Sequence, residues 1–319
     1  MVVGIMVRLV NYTALIVVAS SLAWLLAAVT LDPRANYAGR TPAPPAAVVD
    51  AALSEVNLND HDPLLDRYLT WVSGVARGDF GRTWDGLSVG ADLAERAGVT
   101  LRLVTAGLVA GALLGLAVGT LAAVHHRRWF DRLSGGVVFV LLAVPAVVLA
   151  NVLILGAIWL NDTTGIRFLT VSGESTTGGL LDGLGHLVLP ALTLALPLAA
   201  VVSRYQRNAM LDVLNADHVR TARAKGLPRR TVIVKHALRT ALIPTSAYLT
   251  FTFGALLVGS TVTETVFGRY GLGQRLIAAI RTGDVNTVAA ITTVAAVALL
   301  LSAVVADVLQ RVLNPGRAR

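Results

Sequence analysis

Six stretches of the chain, residues 9–29, 103–124, 137–160, 184–202, 241–262 and 285–306, run for about twenty residues each with almost no ionisable side chain. An α-helix of about 20 apolar residues crosses a hydrocarbon layer roughly 30 Å thick, satisfying its backbone internally on the way. Each stretch is therefore predicted to be a membrane-spanning helix. Composition agrees: 55% of residues are hydrophobic and 14% charged, against about a quarter charged in ordinary globular domains. The fourth stretch is the least regular, since it contains His186, Pro190 and Pro197. The first is longer than the 7–15-residue apolar core of a signal peptide and lacks a small-residue cleavage site, so it reads as a retained anchor. "GLVAGALLGLAVG" (107–119) has the small-residue spacing that lets helices approach closely in lipid.

Charge sets the expected orientation. Six spans place both termini on one side, together with loops 125–136 and 203–240. That side carries 16 Lys/Arg and 4 Asp/Glu, and the other carries 11 and 15, balances of +12 and −4 within the overall +8. Basic loops stay cytoplasmic, so both termini are predicted to be cytoplasmic. The basic character of the chain follows from topology and requires no nucleic acid.

Three connections are long. Residues 31–98, outside, begin "LDPRANYAGRTPAPP", which reads as an extended, mobile linker. Helical spacing of Leu64, Leu65, Tyr68, Leu69, Val72 and Val75 follows, then an amphipathic lead into the second span at 87–103. Residues 264–284, also outside, carry glycines at 268, 271 and 273 before a short apolar helix. The third connection is the basic loop 203–240. Arg102, His186 and Asp307 lie near span ends, so the buried carboxylates or histidines expected along the path of an ion-coupled pump are not evident. The chain has neither a G-x-x-x-x-G-K-[ST] phosphate loop nor H-E-x-x-H, and no cysteine for disulfides, thiolate metal sites or nucleophilic chemistry. Uphill transport by such a chain would draw its energy from another subunit.

Within the basic loop, "DHVRTARAKGLPRRTVIVKH" (217–236) gathers Arg220, Arg223, Lys225, Arg229, Arg230 and Lys235 around a Gly-Leu-Pro break. Val213, Ala216, Val219, Ala222 and Ala224 form a narrow small-residue face. Asp212, Asn215 and Asp217 precede the basic residues, as a helix dipole favours. Gly226 suits a left-handed helix end and Pro228 the first turn of the next helix. The prediction is a knob of helix, sharp turn and helix, rather than a flexible loop holding only topogenic charge.

"HVRTARAKG" (218–226) and "HALRTALIP" (236–244) resemble the "YVRTARAKG…HALRNALIP" loop in membrane subunits of ATP-binding-cassette (ABC) importers of the dipeptide/oligopeptide and nickel permease family. The resemblance extends to "WVSGVARGDFGRTW" (71–84), "TLRL" (100–103) and "ETVFGRYGLGQRLIAAI" (264–280). In that family the loop is the EAA loop, whose short helix docks on the ATPase subunit. Aligned on Gly226, the first three positions of E-A-A-x-x-x-G fall on Arg220, Thr221 and Ala222, so the acidic residue is absent and no salt bridge carries over from it. Tyr270 stands where the family often has Pro, and the Pro-rich stretch 33–45 has no counterpart.

The resemblance implies an all-α integral membrane protein of type I importer architecture, with six transmembrane helices, short outer helices and a cytoplasmic coupling helix. Its divisions would be 1–30 (first helix), 31–98 (outer loop), 99–310 (five-helix permease core) and 311–319 (tail). It implies no catalytic, metal or cofactor site in this chain, with ATP and Mg held by partner subunits. Those partners would be a second homologous permease, two ATPase subunits (or one two-cassette chain), an external substrate-binding protein and membrane lipid. Asp217, Val219, Arg220, Thr221, Ala222, Arg223, Lys225, Gly226, Leu227 and Pro228 would couple to the ATPase, with Val219, Ala222 and Gly226 entering its groove. Trp71, Asp79, Glu264, Phe267, Tyr270, Gly271 and Gly273 would form an outer gate or binding-protein dock. Trp159, Phe251, Phe253 and Glu264 are candidates for the peptide path by depth and chemistry alone. Nickel or another small solute is the alternative cargo, and a channel or scaffold outside the ABC class is the alternative function.

Overall fold

The computed structural model describes residues 2–38, 40–165, 169–173 and 179–313, so most of the expected tail lies outside the described residues. The elements are α1 (Val2–Thr30), a 3-10 turn (Pro33–Asn36), α2 (Ala46–Glu55), α3 (Leu64–Val75), α4 (Val89–Val124), α5 (Trp129–Ala143), α6 (Ala146–Thr164) and α7 (Leu180–Leu214). There follow α8 (Asp217–Ala224), α9 (Arg229–Thr231), a π-helical segment (Val232–Leu238), α10 (Arg239–Val266), α11 (Leu272–Arg281) and α12 (Val285–Leu313). Among the described residues there is no strand, only an isolated bridge between Arg82 and Ser88.

Among the described residues, six helical segments are long and apolar enough to cross a membrane: Val10–Thr30, Val89–Val124, Ala146–Thr164, Leu181–Leu214, Arg229–Val266 and Val285–Ala306. The third corrects the expected 137–160. Val144 is extended (φ −83°, ψ 123°) and ends α5, because the ring of Pro145 disfavours helical backbone in the residue before it. Pro145 then caps α6. The second segment begins at Val89, absorbing the amphipathic lead, and the fifth reaches back to Arg229. Pro190, Pro197 and Pro244 stay inside α7 and α10.

One compact unit comprises Met1–Thr100 and Tyr270–Leu300. Its core stacks Trp24 on Trp71, ring centroids 5.9 Å apart, beside Tyr68, Leu53, Leu58, Val285 and Ala289. The hydroxyls of Tyr68 and Ser21 share a hydrogen bond of 2.7 Å. The face of α3 differs from expectation: Arg67 and Trp71 are buried, whereas Leu65 and Leu69 are exposed. Arg67 lies 5.7 Å above the Trp24 ring, and burial pushes its guanidinium pKa down. The Pro-rich stretch is not a free linker. Arg34 binds Asp60, Asp50 and Asn59, and Asn36 Nδ2 donates to the Thr282 carbonyl at 2.6 Å. Asp284 caps α12, accepting from Thr287 N (3.1 Å) and Thr287 Oγ1 (2.8 Å).

The other unit comprises Leu101–Arg269 and Leu301–Arg319. Here the small-residue pattern of α4 is a ridge laid on α7. A Cβ added at Gly107, Gly111, Gly115 or Gly119 would come within 2.9, 2.8, 2.6 and 2.5 Å of Leu194, Ala195, Val202 and Ser203 respectively. No side chain fits, so the two backbones meet along four turns, as expected for small-xxx-small packing in lipid. At one end of this contact Gln206 is fully buried, accepting from Thr245 Oγ1 of α10 at 2.9 Å and donating to Thr120 Oγ1 of α4 at 3.4 Å. Arg207, one residue on, pairs with Asp131 of α5.

Candidate functional site

The basic loop forms a defined body on the second unit. α7 ends at Leu214, and Ala216 turns extended (ψ 151°) to start α8 at Asp217, so the face expected to run from Val213 to Ala224 is divided between two helices. Asp217 occupies the first turn of α8 and Arg223 the last, complementing the helix dipole. The end of α8 is a Schellman cap: Gly226 N donates to Arg223 O at 3.0 Å and Leu227 N to Ala222 O at 3.4 Å. Gly226 has φ +77°, the left-handed conformation predicted for it. Pro228 caps the following helix, with Val232 N donating to its carbonyl at 3.1 Å.

The sequence gives no warning of the π-helical register at Val232–Leu238. It turns Val232 and Ala237 into a cluster with Val219 and Ala222 of α8, Met210 of α7, Ala123 of α4 and Ala241 of α10. Val219 is fully buried there and Ala222 is 7% exposed. This corrects the expectation that both enter a partner's groove, because they already pack against their own chain. The outward face consists of Asp217, His218, Arg220, Thr221, Arg223, Ala224, Lys225, Gly226, Leu227 and Pro228. Arg229 reaches back to donate to the carbonyl of Val124, the last residue of α4, at 3.4 Å.

What holds this end of the helices is electrostatic as well as apolar. Arg207 donates to Asp131 through Nε (2.6 Å) and Nη2 (2.9 Å), and the Arg127 N–H adds a third bond at 2.9 Å. The bond from Arg207, then that from Arg127, hold the Asp131 pKa down at about 2. Gln206, Thr245, Asp131 and Arg207 were not singled out from the sequence. The only signal there was that Asp131 is the sole acid in the loop at 125–136.

The expected outer residues divide between the two units. In the first, Trp71 is 4% exposed and belongs to the aromatic core, which removes it from any docking surface. Asp79 is exposed and accepts from Gly81 N at 2.9 Å. Tyr270 is 59% exposed, Gly271 caps α11, and Gly273 is buried within it. In the second unit, Phe267 (1%) and Glu264 (0%) are buried, Glu264 beside Ser260 Oγ at 3.2 Å, so neither can meet a docking protein here. Of the three glycines, Gly268 alone is left-handed (φ +61°), while Gly271 is extended and Gly273 helical. Among the path candidates, Trp159 and Phe251 are exposed, Phe253 packs beside Leu103, Val104 and Leu194, and Glu264 is enclosed.

Residues 86–90 read Gly-Leu-Ser-Val-Gly, the G-x-S-x-G spacing of a hydrolase nucleophile. The structure accounts for them as a helix start: Ser88 Oγ accepts from Ala91 N at 3.4 Å, and no histidine bonds it among the described residues.

Residues 115–319 match the family described as binding-protein-dependent transport system inner membrane component. The chain is 43% identical to the oligopeptide transport system permease protein OppB of Mycobacterium tuberculosis, over 97% of this chain and 96% of that one. It is 34% identical to the glutathione transport system permease protein GsiC of Escherichia coli, over 89% and 88% respectively. Its fold resembles the crystal structure of an amino acid ABC transporter with histidines, at a TM-score of 0.53 and 15% identity, covering 76% of this chain and 97% of that one. The six spans, the capped basic loop and these relationships together place the chain in the binding-protein-dependent transport system inner membrane component family, as a multi-pass inner-membrane permease subunit of an ABC importer.

Proposed function

We propose that this permease forms one half of a pore that imports short peptides, with the 217–236 body as its coupling element. The similarity to OppB over nearly the whole chain carries the peptide assignment, and GsiC points the same way, glutathione being a short peptide. In this reading a second homologous permease completes the pore and an external binding protein delivers the peptide. ATP and Mg are bound by two ATPase subunits beneath, and both termini of this chain are cytoplasmic, a reading the charge balance supports.

The observation that supports coupling is the shape of α8 and its cap: Val219 and Ala222 are anchored inside the chain while Arg220, Thr221, Arg223, Lys225 and Leu227 face outward. A helix held in this way moves with α4, α7 and α10. ATP-driven motion of a protein gripping the outer face therefore reaches the spans without a slack joint. Arginines are suited to that grip, since they pair bidentately with carboxylates. The test is uptake by the reconstituted complex. Labelled tri- to pentapeptides should enter vesicles only with ATP and the binding protein, whereas nickel ions should not. ATP-dependent nickel uptake without peptide uptake would replace the cargo, and failure of any ATPase to co-purify would remove the coupling role.

A further inference from the structure

A cavity of about 900 Å³ lies between α4, α5 and α7 in the second unit, and the function proposed above makes no use of it. Its lining changes character along α5. Near the start of that helix it is polar, with Arg132 joined by Arg204 and Asn208 of α7; further along it is apolar, with Val138, Phe139 and Leu142. From Asp131 to Ala143 a helix rises about 18 Å, rather more than half of a hydrocarbon layer roughly 30 Å thick.

The charges at the polar end are not balanced within the chain. Asp131 also lines the cavity, but its charge is taken up by Arg207 through two bonds, so it leaves no net repulsion toward an anion. Arg132 and Arg204 are exposed and form no ion pair among the described residues. At the other end Phe139 is 76% exposed, an aromatic ring with nothing covering it. An inorganic anion would satisfy the arginines and leave the apolar wall bare. A molecule with a phosphate at one end and a hydrocarbon chain at the other satisfies both.

We propose that this cavity binds an anionic phospholipid, with its phosphate at Arg132 and Arg204 and an acyl chain along Val138, Phe139 and Leu142. Under the orientation proposed above, this end of the helices meets the cytoplasmic leaflet, where anionic headgroups attract basic side chains. Because α4 and α7 also carry the Gln206 contacts and the cluster beneath α8, the lipid would brace the helices that hold the coupling body.

The test is native mass spectrometry of the assembled transporter in mild detergent, offered an equimolar mixture of phosphatidylglycerol and phosphatidylcholine. Phosphatidylglycerol should be retained at least about tenfold over phosphatidylcholine, as two basic contacts allow. Arg132→Gln with Arg204→Gln should bring it to the phosphatidylcholine level, and the corresponding double Lys variant should restore most of the preference. Equal retention of the two lipids, or an unchanged preference in the Gln variant, would overturn the proposal. So would complete displacement by millimolar inorganic phosphate, which would show an anion site that ignores the tail. Since the chain has no cysteine, Phe139→Cys accepts a single photo-crosslinker. Capture of lipid supports the proposal, and capture of the second permease overturns it by assigning the cavity to subunit packing.

Discussion

Arg207 of α7 holds both carboxylate oxygens of Asp131 at the start of α5, at 2.6 and 2.9 Å. The Asp131 side chain is 7% exposed and that of Arg207 30%. This bidentate pair joins two helices at the end of the bundle that carries the basic loop.

The first prediction concerns pH. The Arg207 and Arg127 bonds lower the Asp131 pKa from 3.8 to about 2 in the folded chain. A carboxylate with a depressed folded pKa adds stability above its unfolded pKa and loses it as the pH falls through the folded one. The contribution, roughly 2 kcal/mol, should therefore be complete above pH about 4 and vanish between about 4 and 2. Asp131→Asn should lower the thermal midpoint in detergent at pH 7 and remove this part of the acid sensitivity. An identical acid profile in the variant would show that the pair contributes nothing.

The glycine ridge supports a second. A Cβ at Gly115 would lie 2.6 Å from Val202 Cβ and 2.8 Å from Ala199 O, and backbone cannot rotate away. Gly115→Ala should destabilise the chain by about 1–3 kcal/mol through overpacking, and Gly115→Leu should prevent its accumulation. At Gly156 in α6 an added Cβ would have nothing within 4 Å. Gly156→Ala should be neutral or stabilising by up to about 1 kcal/mol. Melting curves of the purified variants decide; similar losses at both positions would refute the close contact.

Both the ridge and the Gly226 cap could be read from the sequence because each depends on local chemistry: a spacing of four in one case, a left-handed glycine before a proline in the other. Features set by distant partners could not. Asn286 Nδ2 donates to the carbonyls of Val56 and Arg82, more than 200 positions away, and nothing near Asn286 announces this. The same holds for Arg34, whose partners turn a Pro-rich segment into a docked one. The buried face of α3 is ambiguous in sequence because Leu65, Leu69 and Val72 recur at helical spacing as regularly as Leu64, Tyr68, Trp71 and Val75, and apolarity alone does not say which stripe meets Trp24. Mean hydropathy over 137–160 hides a single proline, although Pro145 dictates the break at Val144. In the basic loop, small residues signalled close packing correctly, but whether their neighbour was this chain or another depended on the unforeseen π register at 232–238.

A third prediction follows from Gly226. Its φ of +77° is left-handed and nothing lies within 4 Å of an added Cβ, so substitution there strains the backbone alone. Gly226→Ala should cost about 1–2 kcal/mol locally and weaken peptide-stimulated ATP turnover in part. Gly226→Pro cannot adopt the angle and removes the bond to Arg223 O. It should reach the membrane in normal amounts yet leave ATP turnover unresponsive to peptide. Normal stimulation in the Pro variant would remove α8 from the coupling path.

The last prediction separates the inner and outer faces of α8. Val219 is fully buried, so Val219→Asp places a carboxylate in an apolar cluster. An uncompensated buried charge costs several kcal/mol; the helix should detach from the bundle, with loss of thermal stability and of coupling together. Arg220 and Arg223 are exposed and form no ion pair among the described residues. Arg220→Glu with Arg223→Glu should leave the thermal midpoint within the small range of surface changes, about 0.5 kcal/mol. The same variant should weaken co-purification of the ATPase subunits by reversing the charge of the contact, and charge reversal of the facing ATPase carboxylates should restore it. Two outcomes would contradict this division of the helix. If Val219→Asp left stability intact, the small face would not be internal. If the double Glu variant retained its ATPase and its coupled turnover, the basic residues would serve topology alone, and the grip on the motor would lie elsewhere on the loop.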